Sequence, residues 1–177
     1  MCIRDSNDSL DECQLKENAR VVGIGSLKYA DLSQNRASDY TFDYDKMLAL
    51  KGNTATYLQY SYARVQGIFR KGEIDIESLR SNPVAFILNE DVERKLALNL
   101  ARFSEGLEEV LIEYKPNLLA SYLFELTQVF FQFYDQCPVL NLDDASLEKS
   151  RLQLCDLTAR TIKTGLSLLG IQIVDKM

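Results

Sequence analysis

Three side chains in the first half of the chain have the types and spacing to bind a nucleic acid. Tyr57, Tyr60 and Arg64 are separated by three and four residues, so an α-helix would place them on one face. Aromatic rings stack on unpaired bases and cations meet phosphates, which is the chemistry of single-stranded nucleic-acid binding. The same spacing also suits two tyrosines that pack in a helix interface with their hydroxyl groups at the rim. These residues alone leave both interpretations open.

The segment around these residues is basic although the protein is acidic. The chain has 177 residues and a formal net charge of −6, so it is not a protein that is basic over its whole surface. Between Lys46 and Gly72, however, there are five lysine or arginine residues and no acid. This local reversal of sign is compatible with contacts to phosphates.

A second aromatic group lies further along the chain. It consists of Phe130, Phe131, Phe133 and Tyr134. We expect the phenylalanines to form a core stripe of one helix. Tyr134 stands at the predicted helix end, directly before Asp135 and a Cys-Pro pair, where its hydroxyl group can reach solvent.

The composition excludes several kinds of chemistry. The chain contains no histidine, which rules out histidine-ligated metals and histidine-dependent catalysis within it. The four cysteines form no C-x-x-C pair, so we expect reduced thiols and no metal site. A group of acids at helical spacing is expected to be a solvated helix face: Glu105, Glu108, Glu109 and Glu113. We predict no transmembrane helix and a cytoplasmic location.

The elements that must position these side chains are predicted to be helices. The chain is 46% hydrophobic and 26% charged, which is typical of a globular protein. Apolar spacing, capping residues and prolines predict helices over residues 10–34, 53–71, 89–114, 116–136 and 144–169. We expect Asn53 or Thr54 to cap the second of these helices, and Asp143 or Asp144 to cap the last. Asn89 is expected to cap the third, which is one helix or a pair, and Gly72 to end the second in a left-handed conformation. Alternating aromatics at 40, 42 and 44 predict a short extended segment, and the fold class is an all-α helical bundle.

Four stretches together resemble one protein family, the arginyl-tRNA synthetases. They are GIGSLKYADLSQNRASDY (23–40), KGNTATYLQYSYARVQGIFRK (51–71), SYLFELTQVFFQFYDQCPV (121–139) and RLQLCDLTARTIKTGLSLLGIQIVDKM (151–177). The second is similar to the helix that opens the family's C-terminal domain, commonly Gly-Asn-Thr-Ala-Pro-Tyr, although Thr56 stands here in place of the proline. The combination covers nearly all of the chain after residue 12.

This resemblance implies a DALR-type helical domain that binds the anticodon loop of tRNA(Arg). The positions that match Tyr57, Tyr60 and Arg64 face the anticodon nucleotides in the family. Tyr134 and the terminal Met177 match positions that help to form the base pocket. A tail that folds back over the bundle would bring Met177 to the helix near Tyr57 and Tyr60.

The resemblance also implies a division of the chain. Residues 1–11 read as a foreign or disordered start, 12–52 as the end of a class I catalytic domain, and 53–177 as the anticodon-binding domain. The chain has neither the HIGH-like nor the KMSK-like motif of class I synthetases, so we expect this fragment to be inactive alone and to bind no cofactor. In the whole enzyme, ATP and Mg²⁺ would serve arginine ligation. We expect a monomer whose partners are tRNA and the missing catalytic domain.

Two alternatives remain beside this interpretation. The tyrosine face could meet a protein partner, since tyrosine and arginine are also enriched in protein interfaces. The same helical domain also occurs in other class I synthetases, such as the cysteinyl enzyme.

Overall fold

The structure is a computed structural model that describes residues 11–41, 43–49 and 51–177. These residues form eight helices and no strand, so the predicted all-α bundle is confirmed for the described part of the chain. The helices are α1 (Glu12–Leu32), α2 (Tyr44–Met47), α3 (Ala55–Lys71), α4 (Ile76–Ser81), α5 (Asp91–Ala101), α6 (Phe103–Glu113), α7 (Pro116–Gln136) and α8 (Ala145–Leu168).

Helix α7 is central to the bundle. It packs against α1, α3, α5, α6 and α8, and its inward side chains are almost completely buried. Pro116 occupies the first turn of α7, where its missing N–H costs no hydrogen bond. Cys137 follows as the C-cap, as the sequence predicted for the end of this helix.

Several predicted helix ends are confirmed and others are wrong. Thr54 caps α3 by accepting a hydrogen bond from the Tyr57 N–H at 3.2 Å, and Asp144 caps α8. Asn89 does not cap α5, because Glu90 is the N-cap and forms a capping box with Glu93. The chain near residue 44 is helical and not extended, since the Asp43 side chain caps α2. Of the other two aromatics of that predicted extended segment, Tyr40 lies in no helix or strand, and Phe42 lies outside the described residues. Helix α4 was not predicted.

Gly72 is closely packed and is not in a left-handed conformation. It is the C-cap of α3 with φ −86°, so the predicted left-handed geometry is wrong. The left-handed residue is the next one, Glu73, with φ 50°. A Cβ atom on Gly72 would lie 2.6 Å from Leu140 Cδ2, so a glycine lets the loop after α7 approach α3.

Helix α1 packs along α3 and α7. A Cβ atom on Gly25 would lie 2.9 Å from Gln59 Nε2, so α1 and α3 approach closely at this glycine, whereas Gly23 faces open space. At the same crossing, Thr56 Oγ1 and Ser26 Oγ are 3.1 Å apart and share a hydrogen bond. The buried hydroxyl of Thr56 thus has a partner. The domain boundary at residue 52 stays a prediction.

Candidate nucleic-acid interface

One face of α3 carries the three side chains that the spacing predicted to lie together. Leu58 and Val65 are fully buried on the core side of this helix. Burying that side leaves Tyr57 and Tyr60 half-buried and Arg64 exposed. The amphipathic pattern of α3 therefore decides which of its residues reach the surface.

The two tyrosines share a packing partner on α7. The ring centroids of Tyr57 and Phe131 are 5.3 Å apart, and those of Tyr60 and Phe131 are 6.0 Å apart with nearly parallel planes. Phe124 adds an edge contact to Tyr57 at 6.0 Å. The helix-interface interpretation is thus correct for one side of these rings. Because neither ring is fully buried, part of each still reaches the surface.

Arg64 joins this aromatic row to Tyr134. The guanidinium carbon of Arg64 lies 5.2 Å from the ring centroid of Tyr134, which is the geometry of a cation–π contact. Phe130 stacks on Tyr134, with centroids 6.1 Å apart. Phe131 and Tyr134 are three residues apart on α7, so they stand on the same side of that helix. The α3–α7 pair therefore brings together Tyr57, Tyr60, Arg64 and Tyr134, and we call this group the aromatic–arginine face.

The charges around this face are mixed. Burial, and then the negative charge of Asp135, raise the pKa of Tyr57, so this phenol stays protonated at neutral pH. Arg64 and Lys71 are both exposed, and within the described residues neither has a carboxylate oxygen within 4.0 Å of its side-chain nitrogens. Two cations are thus available to an incoming anion beside the aromatic–arginine face.

The C-terminal tail docks on the bundle, but Met177 lies with α1. Ile171 and Val174 are buried, and Met177 packs against the cluster of Val21, Val22 and Val174. The tail passes α3 at Gln59, whose Nε2 donates to the Gln172 carbonyl at 2.7 Å. Gln59 is two residues from Tyr57, about 200° around the helix axis. The tail therefore runs over the side of α3 that faces away from Tyr57.

The tail contacts the basic segment at Arg70 and not at Arg64. Arg70 donates to the Asp175 carbonyl at 3.1 Å, whereas Arg64 is engaged with Tyr134. Asn18 of α1 donates to the Lys176 carbonyl at 2.8 Å. Sequence order alone could not reveal which side of α3 the tail would take.

A cleft continues from the aromatic–arginine face toward the end of α3. It has a volume of about 610 Å³ and is lined by Arg64, Gly67, Lys71, Tyr134 and the loop of residues 137–141, among others. Lys71 is seven residues after Arg64, so two helical turns place both on one side. That spacing was a signal in the sequence. The contribution of the loop was not visible there, because it depends on how α7 and α3 pack.

The remaining candidate sites have other roles or none. Glu105, Glu108, Glu109 and Glu113 are exposed on α6, which confirms the predicted solvated face. Within residues 11–41, 43–49 and 51–177, no three histidine, cysteine, aspartate or glutamate side chains converge on a possible metal position. No helix in the same ranges is long and apolar enough to span a bilayer.

Comparison with known families assigns this helical bundle to one family. The family model of the DALR anticodon binding domain matches residues 58–177, and the chain belongs to that family. The matched region begins within α3 and ends at the last residue, so it contains most of the aromatic–arginine face and the tail.

The similar proteins are arginine–tRNA ligases. The chain is 58% identical over 159 residues to the enzyme of Synechococcus elongatus and 49% identical over 175 residues to that of Proteus mirabilis. These alignments cover 90% and 99% of the chain but only 27% and 30% of the relatives. The arginyl-tRNA synthetase structures of Thermus thermophilus and Plasmodium falciparum superpose with TM-scores of 0.82 and 0.81, at 29% and 36% identity. These superpositions cover 98% and 92% of this chain and 29% and 28% of the respective structures.

Proposed function

We propose that this chain is the C-terminal part of an arginyl-tRNA synthetase and recognises the anticodon loop of tRNA(Arg). Its role is binding, through the aromatic–arginine face of α3 and α7. The rest of the polypeptide would hold arginine, ATP and Mg²⁺ and carry out the ligation in the cytoplasm. The chain spans less than a third of its relatives, so the ligase activity belongs to the proposal and not to the described residues.

The observation that carries this proposal is the convergence of Tyr57, Tyr60, Arg64 and Tyr134 in a DALR family domain. Half-buried rings backed by Phe131 form a rigid stacking surface, because their packed sides restrict their rotation. Stacking of a base on such a ring contributes about 1–3 kcal/mol. Arg64 adds a planar cation next to Tyr134, which can meet either a base or a phosphate.

Binding to an anticodon stem-loop tests the proposal. A fluorescent RNA hairpin with the tRNA(Arg) anticodon loop should bind the wild-type chain, and a hairpin with an unrelated loop should bind more weakly. Tyr60→Ala should weaken binding by about 1–3 kcal/mol, since it removes one stacking surface. Tyr114→Ala is the matched control, because Tyr114 is an exposed tyrosine at the C-cap of α6 and is not part of this face.

The same titration separates the proposal from a protein-interaction module. Affinity for RNA should fall steeply as salt increases, because phosphate contacts release counterions. Equal affinity for both hairpins, or a Tyr60→Ala protein that binds like the wild type, would contradict the proposal. Tyr60 packs on Phe131, so the fold of the variant must be verified by circular dichroism.

We propose separately that Met177 contributes to RNA binding. Deleting Val174–Met177 should lower the melting temperature, because Val174 is 6% exposed and packs with α1. We also expect weaker RNA binding, as the family resemblance implies for the terminal methionine. If the truncated protein binds the hairpin with unchanged affinity, Met177 has only a packing role.

We also predict that this chain has no ligase activity alone. Arginine-dependent exchange of pyrophosphate into ATP measures the first chemical step. Turnover by the purified chain above the blank would show that the prediction is wrong.

A further inference from the structure

The cleft between the end of α3 and the loop of residues 137–141 has features of a second binding site. Its volume of about 610 Å³ falls within the range of about 300–1,000 Å³ found for ligand sites. Arg64 and Tyr134 line its near end, so the cleft is continuous with the aromatic–arginine face. Lys71 and Asn141 line it further along. A polymer bound at the aromatic–arginine face could therefore extend into the cleft.

Lys71 and Asn141 are two polar groups of the cleft that are free to bind a ligand. Lys71 has no ion pair among the described residues, and the side chain of Asn141 makes no hydrogen bond to them. Both residues are exposed. A lysine ammonium suits a phosphate, and a carboxamide can both donate to and accept from a base edge. Asp135 is the one acid among the lining residues, which favours contact with a base over a second phosphate in its vicinity.

The loop that carries Asn141 is held firmly on both sides. Before Asn141, Val139 is buried, and the Pro138 carbonyl accepts a hydrogen bond from Arg151 Nη1 at 2.8 Å. After it, the Leu142 N–H donates to Glu148 Oε2 at 2.7 Å. Asn141 itself adopts φ 60°, a conformation that asparagine tolerates better than most residues. The carboxamide is therefore presented by a preorganised backbone, which lowers the entropy cost of binding.

We propose that this cleft binds a second nucleotide of the RNA loop, next to the one at Tyr134 and Arg64, with Lys71 at its phosphate and Asn141 at its base. The inference rests on the proposed function, because the same RNA strand must first bind the aromatic–arginine face. It adds a specificity-determining residue outside the set predicted from the sequence.

Two variants of the full chain test this inference with the tRNA(Arg) anticodon hairpin. Lys71→Ala should flatten the dependence of log Kd on log salt by about 0.7, since one phosphate contact on a single strand is lost. Lys163→Ala is its matched control, because Lys163 is an exposed lysine on α8 without an ion pair among the described residues.

Asn141→Gly should weaken binding at least about fivefold through loss of a base contact. Glycine adopts the positive φ without strain, and Tyr114→Gly is the control at another positive-φ position, φ 53°.

Abasic substitutions in the hairpin identify the contacted nucleotide. The loss of affinity caused by Asn141→Gly should disappear when the base that Asn141 contacts is removed from the hairpin. The loss caused by Tyr134→Ala should disappear when the adjacent base is removed, because a double-mutant cycle shows no further effect once the contact is gone. If Lys71→Ala keeps the wild-type salt slope and Asn141→Gly binds within about twofold of wild type, the cleft is not a nucleotide site. Weakened binding by Tyr60→Ala in the same series would then leave the proposed function intact. Absence of any wild-type binding would overturn both.

Discussion

A buried ion pair beside this cleft leads to a quantitative stability prediction. Glu93 of α5 is completely buried and Arg151 of α8 is 7% exposed in its side chain. Arg151 Nε donates to Glu93 Oε1 at 2.7 Å, and the Glu90 N–H donates to Glu93 Oε2 at 2.8 Å. Arg151 also holds the Pro138 carbonyl. The pair therefore connects α5, α8 and the loop after α7 inside the bundle.

Removing one member of the pair should lower the free energy of unfolding strongly. Glu93→Ala leaves the Arg151 guanidinium buried without its carboxylate partner. Of the two hydrogen bonds described above, only the one to the Pro138 carbonyl remains. An uncompensated buried charge costs about 3–5 kcal/mol of unfolding free energy. For a chain of this size, each kcal/mol changes the melting temperature by about 2–4 °C, so we expect a decrease of about 6–20 °C. Urea unfolding followed by far-ultraviolet circular dichroism measures the free-energy change directly.

Two comparisons establish the cause. The double variant Glu93→Leu with Arg151→Met should be more stable than Glu93→Ala alone, because it leaves no unpaired charge in the core. Glu105→Ala breaks an exposed ion pair with Arg102, and should cost less than about 1 kcal/mol. A loss of less than about 1 kcal/mol for Glu93→Ala would mean that water reaches Arg151, and the argument from burial would be refuted.

Three further predictions concern the core. Gly165→Ala should destabilise the α7–α8 contact by about 1–3 kcal/mol in urea unfolding, because its Cβ would lie 2.5 Å from Leu123 Cδ2. Burial raises the pKa of Tyr122 to about 12 from a value near 10 in the unfolded chain, so its contribution to stability is complete below pH about 10 and is lost as the pH rises through about 12. Melting curves across this range should fall less for Tyr122→Phe than for the wild type. Burial likewise raises the pKa of Cys155 to about 12, so a thiol reagent should modify exposed Cys13 in the native protein and Cys155 only after unfolding.

Local signals in the sequence were sufficient to predict the main helices. Pro116 and the Cys-Pro pair mark the two ends of α7. The side chain of Thr54 caps the start of α3, and the side chain of Asp144 caps the start of α8. These signals act over three or four residues, because a cap satisfies the amides of its own first turn. For the same reason, the spacing of Tyr57, Tyr60 and Arg64 was enough to place them on one face once a helix was assumed.

Contacts between distant segments could not be derived in this way. Gly72 looked like a left-handed cap, whereas it has φ −86° and packs closely against the side chain of Leu140 from another part of the chain. Phe131 looked like a core residue, yet it is half-buried and supports both tyrosines across the α3–α7 interface. Such roles depend on which helices become neighbours, and no local pattern encodes that choice.

The candidate site itself shows the same division. The sequence by itself determined that Tyr57, Tyr60 and Arg64 share a helical face in a basic segment. Only the tertiary structure decided that Tyr134 meets Arg64 from α7, that the loop with Asn141 lines a cleft beside them, and that the tail carries Met177 to α1. The physical reason is that helix faces follow from short-range geometry, whereas a surface shared by two helices and a loop follows from the burial of the whole core.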